Sequence, residues 1–276
     1  MKKIGAGRQA EVYEDDGLAV KLYNSSVPIK HVEYEAYISE KVAQSCLKAP
    51  RFYGICNHDN RSGLKFELIQ GEMLSARMSR KILHIKRYAK EIGILHREIH
   101  KNSITTLQSA NDKFEWRLRQ YKNLDTDVLN SLLEFIKTSY TQSLCHGDLH
   151  PDNIMIDKND DMRVVDWVDA YRGNPLSDVA RTYYLLDHGV SPEKKSCIVR
   201  FIESIAKKII AKDYLHSYFE NQLIPKKEFD MWQLIIQICR CTDGIEEENE
   251  YLQKSIPTRI NRLMSSIKRS KVYEHN

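Results

Sequence analysis

Residues 146–153, His146-Gly147-Asp148-Leu149-His150-Pro151-Asp152-Asn153, and the later Val164-Val165-Asp166-Trp167-Val168-Asp169 hold the residue types best suited to chemistry. They put an aspartate, an asparagine five residues on, and a second aspartate at the end of the next strand on loops that can converge at one cleft. Metal-assisted phosphoryl transfer needs such a set. One carboxylate orients and deprotonates a hydroxyl, and hard oxygen ligands hold Mg²⁺, which shields the phosphate charge. Asp148 fits the first task, Asn153 and Asp166 the second. Turn capping is the plainer use of Asp, Asn and Gly. The preceding His-Gly, the apolar strand that follows and the second strand ending in Asp make this string more specific than a set of caps.

These loops need a scaffold. Residues 11–14 and 18–23 read as strands around Asp15-Asp16-Gly17, whose Asp-Gly pair supports a tight hairpin turn. Residues 31–43 follow helical spacing, with Val32, Ala36 and Ala43 among glutamates and lysines. Two short strands fit 52–56 and 64–69, joined by the polar turn His58-Asp59-Asn60-Arg61-Ser62-Gly63. Beyond residue 71 the pattern predicts helices over 80–101, 125–139, 177–188, 192–220, 226–241 and 246–269, with β-like runs at 153–156 and 163–165. The expected fold class is α+β, with a small β-rich N-terminal lobe over residues 1–70 and a larger helical C-terminal lobe over 71–276.

The 276 residues suffice for one large domain or two lobes, and 42% hydrophobic with 29% charged residues is globular composition. No window of about 18 uncharged apolar residues offers a membrane span. A net charge of +4 neither demands nor excludes an anionic partner. The six cysteines lack a C-x-x-C pair and read as reduced core residues. After Met1-Lys2-Lys3, two glycines and an arginine stand where a secretory signal needs an apolar stretch of about 7–15 residues, so a cytoplasmic location is expected. A phosphate-binding loop of the G-x-x-x-x-G-K-[S/T] type is missing. His96 and His100 stand at helical spacing, but Arg97-Glu98-Ile99 between them puts Glu in the wrong place for a zinc-binding H-E-x-x-H. The basic end, Arg259, Arg262, Lys268, Arg269 and Lys271, has no interleaved aromatics and reads as a solvated helix face rather than a nucleic-acid site.

The string at 146–153 with Asp166 resembles the aminoglycoside phosphotransferase and choline kinase-like small-molecule kinases, relatives of the protein kinase fold. The resemblance covers most of the chain. It implies a bilobal protein-kinase-like fold, ATP as phosphate donor, Mg²⁺ as cofactor and a hydroxyl-bearing small molecule as acceptor. It assigns catalysis to Asp148 and metal binding to Asn153 and Asp166, with Asp169 an accessory carboxylate and Asp178 the aspartate that braces the catalytic loop. Gly5 and Gly7 resemble the glycine-rich loop over the ATP phosphates, although Ala10 stands where protein kinases carry a third glycine. Lys21 lies where kinases carry the lysine that grips the α and β phosphates. Strand alternation puts Ala19 on the face of Lys21, its small side chain leaving space for adenine. Glu33, Glu35 and Glu40 are candidates to orient Lys21, and Glu35-Ala36 best resembles the family's helix. Residues 66–72 resemble the hinge whose backbone groups bond the adenine edge, with Glu67 and Ile69 as the expected contacts.

The acceptor is less determined. Protein kinases usually carry Arg before the catalytic Asp and Lys two residues after it, where this chain has Gly147 and His150. The segment after Asp166 reaches a helix almost at once, leaving little chain to hold a peptide. Residues 243–250 pack five carboxylates that could attract a cationic acceptor such as an aminoglycoside or an amino alcohol. Asp243 and Glu246 also match a capping box, the blander use. Phe229, Trp232, Ile236 and Cys239 form one apolar stripe that reads Trp232 as core. Two alternatives are a non-catalytic nucleotide-binding regulator on the same fold and an atypical protein kinase.

Overall fold

The computed structural model describes residues 1–189, 197–220 and 222–273, with the side chains of 197–202 and 264–273 outside the described set. The chain starts with an antiparallel sheet of β1 (Lys2–Ala6), β2 (Ala10–Asp15), β3 (Leu18–Tyr23), β4 (Phe52–His58) and β5 (Arg61–Glu67), in the spatial order β1-β2-β3-β5-β4. Asp16 and Gly17, both at positive φ, close the β2–β3 hairpin as a two-residue turn, the conformation that Asp-Gly favours. The polar turn expected over 58–63 shrinks to Asp59-Asn60, at φ 48° and 60°, with His58 paired to Arg61. Asp and Asn tolerate the left-handed region, so the strands run up to them and their polar ends stay in solvent.

Helix α1 (Ile29–Ser45) packs Val32 and Ala36 with Ala10, Tyr23 and Leu64 into a small apolar core under the sheet. Farther along, its Ile38 and Val42 enter the larger core of the C-terminal part. That part contains β6 (Gly71–Met73), α2 (Leu74–Arg80), α3 (Ile85–His100), α4 (Ala110–Gln120), α5 (Thr126–Thr138), β7 (Ser143–Cys145), β8 (Ile154–Asp157), β9 (Met162–Val164) and β10 (Tyr171–Gly173). Helices α6 (Pro175–His188), α7 (Cys197–Tyr218), α8 (Lys226–Thr242) and α9 (Glu246–Tyr273) follow. Two small sheets, β6-β8-β9 and β7-β10, carry the loops of interest. The architecture is α+β, with an N-terminal antiparallel sheet and a helical C-terminal part.

Other parts of the chain also differ from expectation. The helix read over 80–101 is broken, because α2 ends at Arg80 and α3 starts at Ile85. Helix α4 was not expected. It buries Ala110, Phe114 and Leu118 at four-residue spacing, and Ser109 Oγ caps it by accepting from Asp112 N at 3.1 Å. Asp243 is not an N-cap of α9: it terminates α8, and its carboxylate is taken by arginines.

Trp232 is fully buried against Phe114 and Phe135, as the apolar stripe predicts. Cys46, Cys56, Cys145, Cys239 and Cys241 are unpaired, and Cys197 lies outside the described side chains. Residues 192–196 of the helix expected over 192–220, and the side chains of Lys268, Arg269 and Lys271, also lie outside the described residues. Among the described residues no helix is long and apolar enough to cross a membrane.

Candidate active site

Strand β3 presents Lys21 and Tyr23 to helix α1. Lys21 Nζ donates to Glu35 Oε1 at 2.7 Å, and the Tyr23 hydroxyl donates to Glu35 Oε2 at 2.5 Å. Both residues point the same way because strand side chains alternate. Of the three glutamates considered, the geometry selects Glu35, whose side chain is 4% exposed. Lys21 also reaches Asp166 Oδ1 at 3.1 Å, joining the sheet to the loop after β9. Burial acts to discharge Lys21, but Asp166 and Glu35 outweigh it and raise its pKa. Tyr23, which the sequence reading did not single out, saturates the second oxygen of Glu35. An i, i+2 pair of polar residues on a strand is its only sequence signal.

The 146–153 loop is held from beneath by Asp178 of α6. That fully buried carboxylate accepts from His146 N at 2.5 Å and Gly147 N at 2.9 Å, and from the Nε2 atoms of His96 and His100 at 3.0 and 3.3 Å. The opposite ring nitrogens of the two histidines meet the Tyr214 and Tyr218 hydroxyls at 2.7 and 2.8 Å. Every ring nitrogen thus has a protein partner. The three groups lie close enough to cage a metal ion, but their bonds already satisfy one another. Burial opposes charge on Asp178, yet the two histidines keep its pKa well below the usual carboxylate range. His96, without solvent, is pushed down to about 4.

His146 ties this loop to the next one. Its Nδ1 accepts from Asp148 N at 3.2 Å and its Nε2 contacts Val165 O at 3.1 Å, one residue before Asp166. Gly147 sits at φ 84°, and a Cβ there would lie 2.3 Å from the carbonyl oxygen of Asp169. Only glycine allows the two loops to approach so closely.

Asp148 is gripped on both oxygens. Arg181 Nη2 donates to Oδ1 at 2.9 Å, and His150 Nε2 lies 3.5 Å from Oδ2. Burial would favour the neutral acid, but His150 and Arg181 prevail and hold Asp148 well below the usual carboxylate range. His150 responds in the opposite sense: burial disfavours its cation, but Asp148 and Asp152 raise its pKa to about 9. Asn153 donates through Nδ2 to Asp148 O at 2.9 Å, which leaves its amide oxygen available as an acceptor. Asp166, at φ 60° and with a side chain 46% exposed, offers a carboxylate oxygen beyond Lys21. The amide oxygen and the carboxylate are the hard oxygen donors that Mg²⁺ requires.

The remaining expected residues are arranged differently. Gly5 lies in β1 opposite Val12, and Gly7 N donates to Ala10 O at 2.8 Å, forming the β1–β2 loop. Ala19 stands in β3 between Glu14 and Phe66. Glu67 turns its side chain to Arg163 Nη2 at 2.9 Å, and its N–H donates to Arg51 O at 2.9 Å, so that N–H is unavailable to a ligand. Ile69 is buried in the irregular stretch between β5 and β6. Asp169, expected as an accessory carboxylate, faces Lys113 of α4, which donates to its backbone oxygen at 2.5 Å and lies 3.4 Å from Oδ1.

Arg181, Lys113 and Arg117 went unnoticed in the sequence. The two α4 residues could have been found from Ser109-Ala110-Asn111-Asp112, a capping signature ahead of a four-residue apolar spacing. Nothing local marks Arg181. The acidic stretch at 243–250 divides. Asp243 is shared by Arg117, Arg181 and Arg240, and buried Glu248 pairs with Arg240 at 2.7 Å and accepts from Tyr184 at 2.8 Å. Glu246, Glu247 and Glu250 remain exposed.

An antiparallel N-terminal sheet carrying a lysine–glutamate pair, set over a helical part with two aspartate-bearing loops, defines the class of bilobal, kinase-like phosphotransferases. The match of residues 1–204 to the model of the phosphotransferase enzyme family shows that the chain belongs to that family. A relative from Metamycoplasma hominis, known only as an uncharacterized protein, is 24% identical over 189 residues. The match covers 65% of this chain and 36% of that protein, so the chain spans about a third of the length of this curated relative. Solved structures share the fold at low identity. Choline kinase LicA from Streptococcus pneumoniae has a TM-score of 0.53 at 13% identity, covering 96% of this chain and 93% of that one. Plasmodium vivax ethanolamine kinase reaches 0.56 at 15% identity, with 94% and 80% covered. The gentamicin complex of the aminoglycoside phosphotransferase APH(2")-IIa gives 0.53 at 16% identity, with 94% and 90% covered.

Proposed function

We propose that this chain transfers the γ-phosphate of ATP, in the presence of Mg²⁺, to a hydroxyl of a small molecule. The observation that carries the reading is the position of Lys21 between Glu35 and Asp166, beside a loop that holds an ionised Asp148. In this reading residues 1–70 form the lobe that grips ATP, and residues 71–276 supply the catalytic loop and the acceptor site. Lys21, oriented by Glu35, binds the α and β phosphates, while backbone amides around Gly5 and Gly7 approach the triphosphate. Adenine lies against Ala19, near the Glu67–Ile69 hinge. LicA is known in complex with AMP and an aminoglycoside phosphotransferase with ADP, which supports a nucleotide as a ligand of this chain.

Asn153 and Asp166 would hold Mg²⁺, which neutralises charge on the β and γ phosphates when bound. Asp148 accepts a hydrogen bond from the acceptor hydroxyl and takes its proton late in the transfer. A carboxylate held so acidic is a weak base. It suits a loose transition state, in which the hydroxyl becomes acidic only as its bond to phosphorus forms. Arg181 and His150 fix both oxygens of Asp148, so orientation is set before the acceptor arrives. Asp166 and the start of α6 at Pro175 are close in sequence, which favours a small molecule over a peptide.

The test is ADP release from ATP and Mg²⁺ with a panel of hydroxyl compounds. Acceptor-dependent turnover that Asp148→Asn abolishes is expected. Radiolabel transferred to protein, or ADP release indifferent to Asp148→Asn, counts against the reading.

A further inference from the structure

Away from the two aspartate-bearing loops, a cavity of about 580 Å³ opens between the end of α7, the first half of α8 and the segment that joins them. That volume falls in the range of sites for small organic ligands, about 300–1,000 Å³. Its walls are apolar and aromatic: Tyr183 of α6, Leu215 of α7, then Leu223, Ile224 and Phe229. The rings of Tyr183 and Phe229 meet edge to face with centroids 5.7 Å apart. Gln233 of α8 also lines the cavity, only 9% exposed, and its amide has no hydrogen-bond partner among the described residues. One turn farther on, Gln237 is satisfied at both ends. Its Nε2 donates to the Tyr251 hydroxyl at 3.4 Å and its Oε1 accepts from Ser255 Oγ at 2.9 Å. The fold pairs one glutamine and leaves the other to the cavity. This place is separate from the residues around Asp148. Helix α6 turns Arg181 to Asp148 and Tyr183, about 200° farther round, to Phe229. Asp243 ends α8 about 15 Å along its axis from Gln233.

A nearly buried amide without a partner is unfavourable, and it offers a donor and an acceptor side by side. A second amide edge complements both atoms at once, whereas a carboxylate matches only the donor and an ammonium only the acceptor. The lysine and the aspartate that line the cavity are bonded to each other. Lys226 Nζ lies 3.1 Å from Asp230 Oδ2, and Arg259 lies 3.9 Å from the other oxygen, so this carboxylate is not free to select a cation. We propose that the cavity binds a neutral ring compound bearing a carboxamide or lactam group. The N–H and C=O of that group bond Gln233, and the ring lies among Tyr183, Phe229 and the aliphatic walls. This binding site does not depend on the phosphotransferase reading.

The experiment titrates three probes of one shape, benzamide, acetophenone and benzoate, against the whole chain, with dissociation constants read by NMR. Benzamide binds about tenfold tighter than acetophenone, which keeps the carbonyl but lacks the N–H, as the loss of a buried hydrogen bond requires. Benzoate, which has no N–H and brings a charge, binds more weakly than benzamide by at least as much. Gln233→Leu keeps most of the side-chain shape and erases the difference between benzamide and acetophenone. If that variant does not fold, chemical shifts of the unaltered protein take its place: benzamide moves the signals of Leu223, Phe229 and Gln233 and leaves those of Gly147 and Asp148 where they were. Equal affinity for benzamide and acetophenone would mean that water alone serves the amide, and it overturns the inference. So does a preference for benzoate, no binding at the solubility limit of benzamide, a preference that survives Gln233→Leu, or shifts confined to other parts of the chain.

Discussion

Lys21 Nζ lies 3.1 Å from Asp166 Oδ1 although 145 residues separate them in the chain. The same ammonium donates to Glu35 at 2.7 Å, so a single cation joins the N-terminal sheet, helix α1 and the loop after β9. Lys21→Met should weaken ATP binding about tenfold or more while the sheet stays folded, because the charged hydrogen bonds are lost and the stem is kept. Calorimetric titration with ATP and Mg²⁺ checks this. Unchanged affinity would remove Lys21 from the nucleotide site.

Replacing Asp148 by Asn should lower kcat about 10²–10⁴-fold and spare nucleotide binding, since the amide keeps the shape but cannot accept the proton. Arg181 and His150 also lose their ionic partner, so circular dichroism must show a native fold first. Full turnover in a folded variant is the contrary result.

The pH dependence follows from the same carboxylate. His150 has a pKa raised to about 9 by Asp148 and Asp152 against its burial, while an ordinary histidine titrates near 6.5. Its stabilisation is therefore complete below about pH 6.5 and is lost as pH rises through about 9. Asp148, held below the ordinary carboxylate value, contributes above about pH 4 and loses that contribution only in stronger acid. Unfolding midpoints should thus fall between about pH 6.5 and 9, and His150→Gln should flatten that part of the curve. Parallel curves for the two proteins would contradict the assignment.

Asp178 is the stability test. Its carboxylate takes four donors in a fully buried position, so Asp178→Ala leaves His96, His100 and two loop N–H groups unmatched. Removing one partner from a buried charged network costs about 3–5 kcal/mol. Denaturant unfolding should show a loss of that order, together with loss of activity. A change below about 1 kcal/mol would mean that water replaces the carboxylate.

Arg163 bonds Glu67 at 2.9 Å and Ala49 O at 3.0 Å, tying β9 to β5 and the loop before β4. If residues 66–72 are the hinge proposed above, Arg163→Met should raise the KM for ATP more than it lowers kcat, because the tie positions that segment and touches no reacting atom. Equal effects on both constants, read in steady-state assays, would argue against a hinge role.

The local chemistry was written in the chain. Asp16-Gly17 dictates its turn, because those residues accept positive φ, and the two-residue period of a strand puts Ala19 and Lys21 on one face. The string from His146 to Asn153, with Asp166, placed the candidate site on two loops, where the fold has them. Helix α4 escaped notice because its apolar residues are interrupted by Trp116, Arg117 and Arg119, although Ser109 marked its start.

The tertiary structure alone decided what meets these groups. Asp243 looks like a helix cap in sequence, but three arginines from α4, α6 and α8 converge on it, and only folding brings those helices together. Glu35 was one of three candidate glutamates until packing buried it beside Tyr23. A sequence orders residues along one line and so specifies turns, strand faces and motif spacing. Charge balance, burial and the partner of each buried donor depend on contacts between distant segments. The +4 of the whole chain therefore says nothing of the cluster at Asp243, on which Arg117, Arg181 and Arg240 converge.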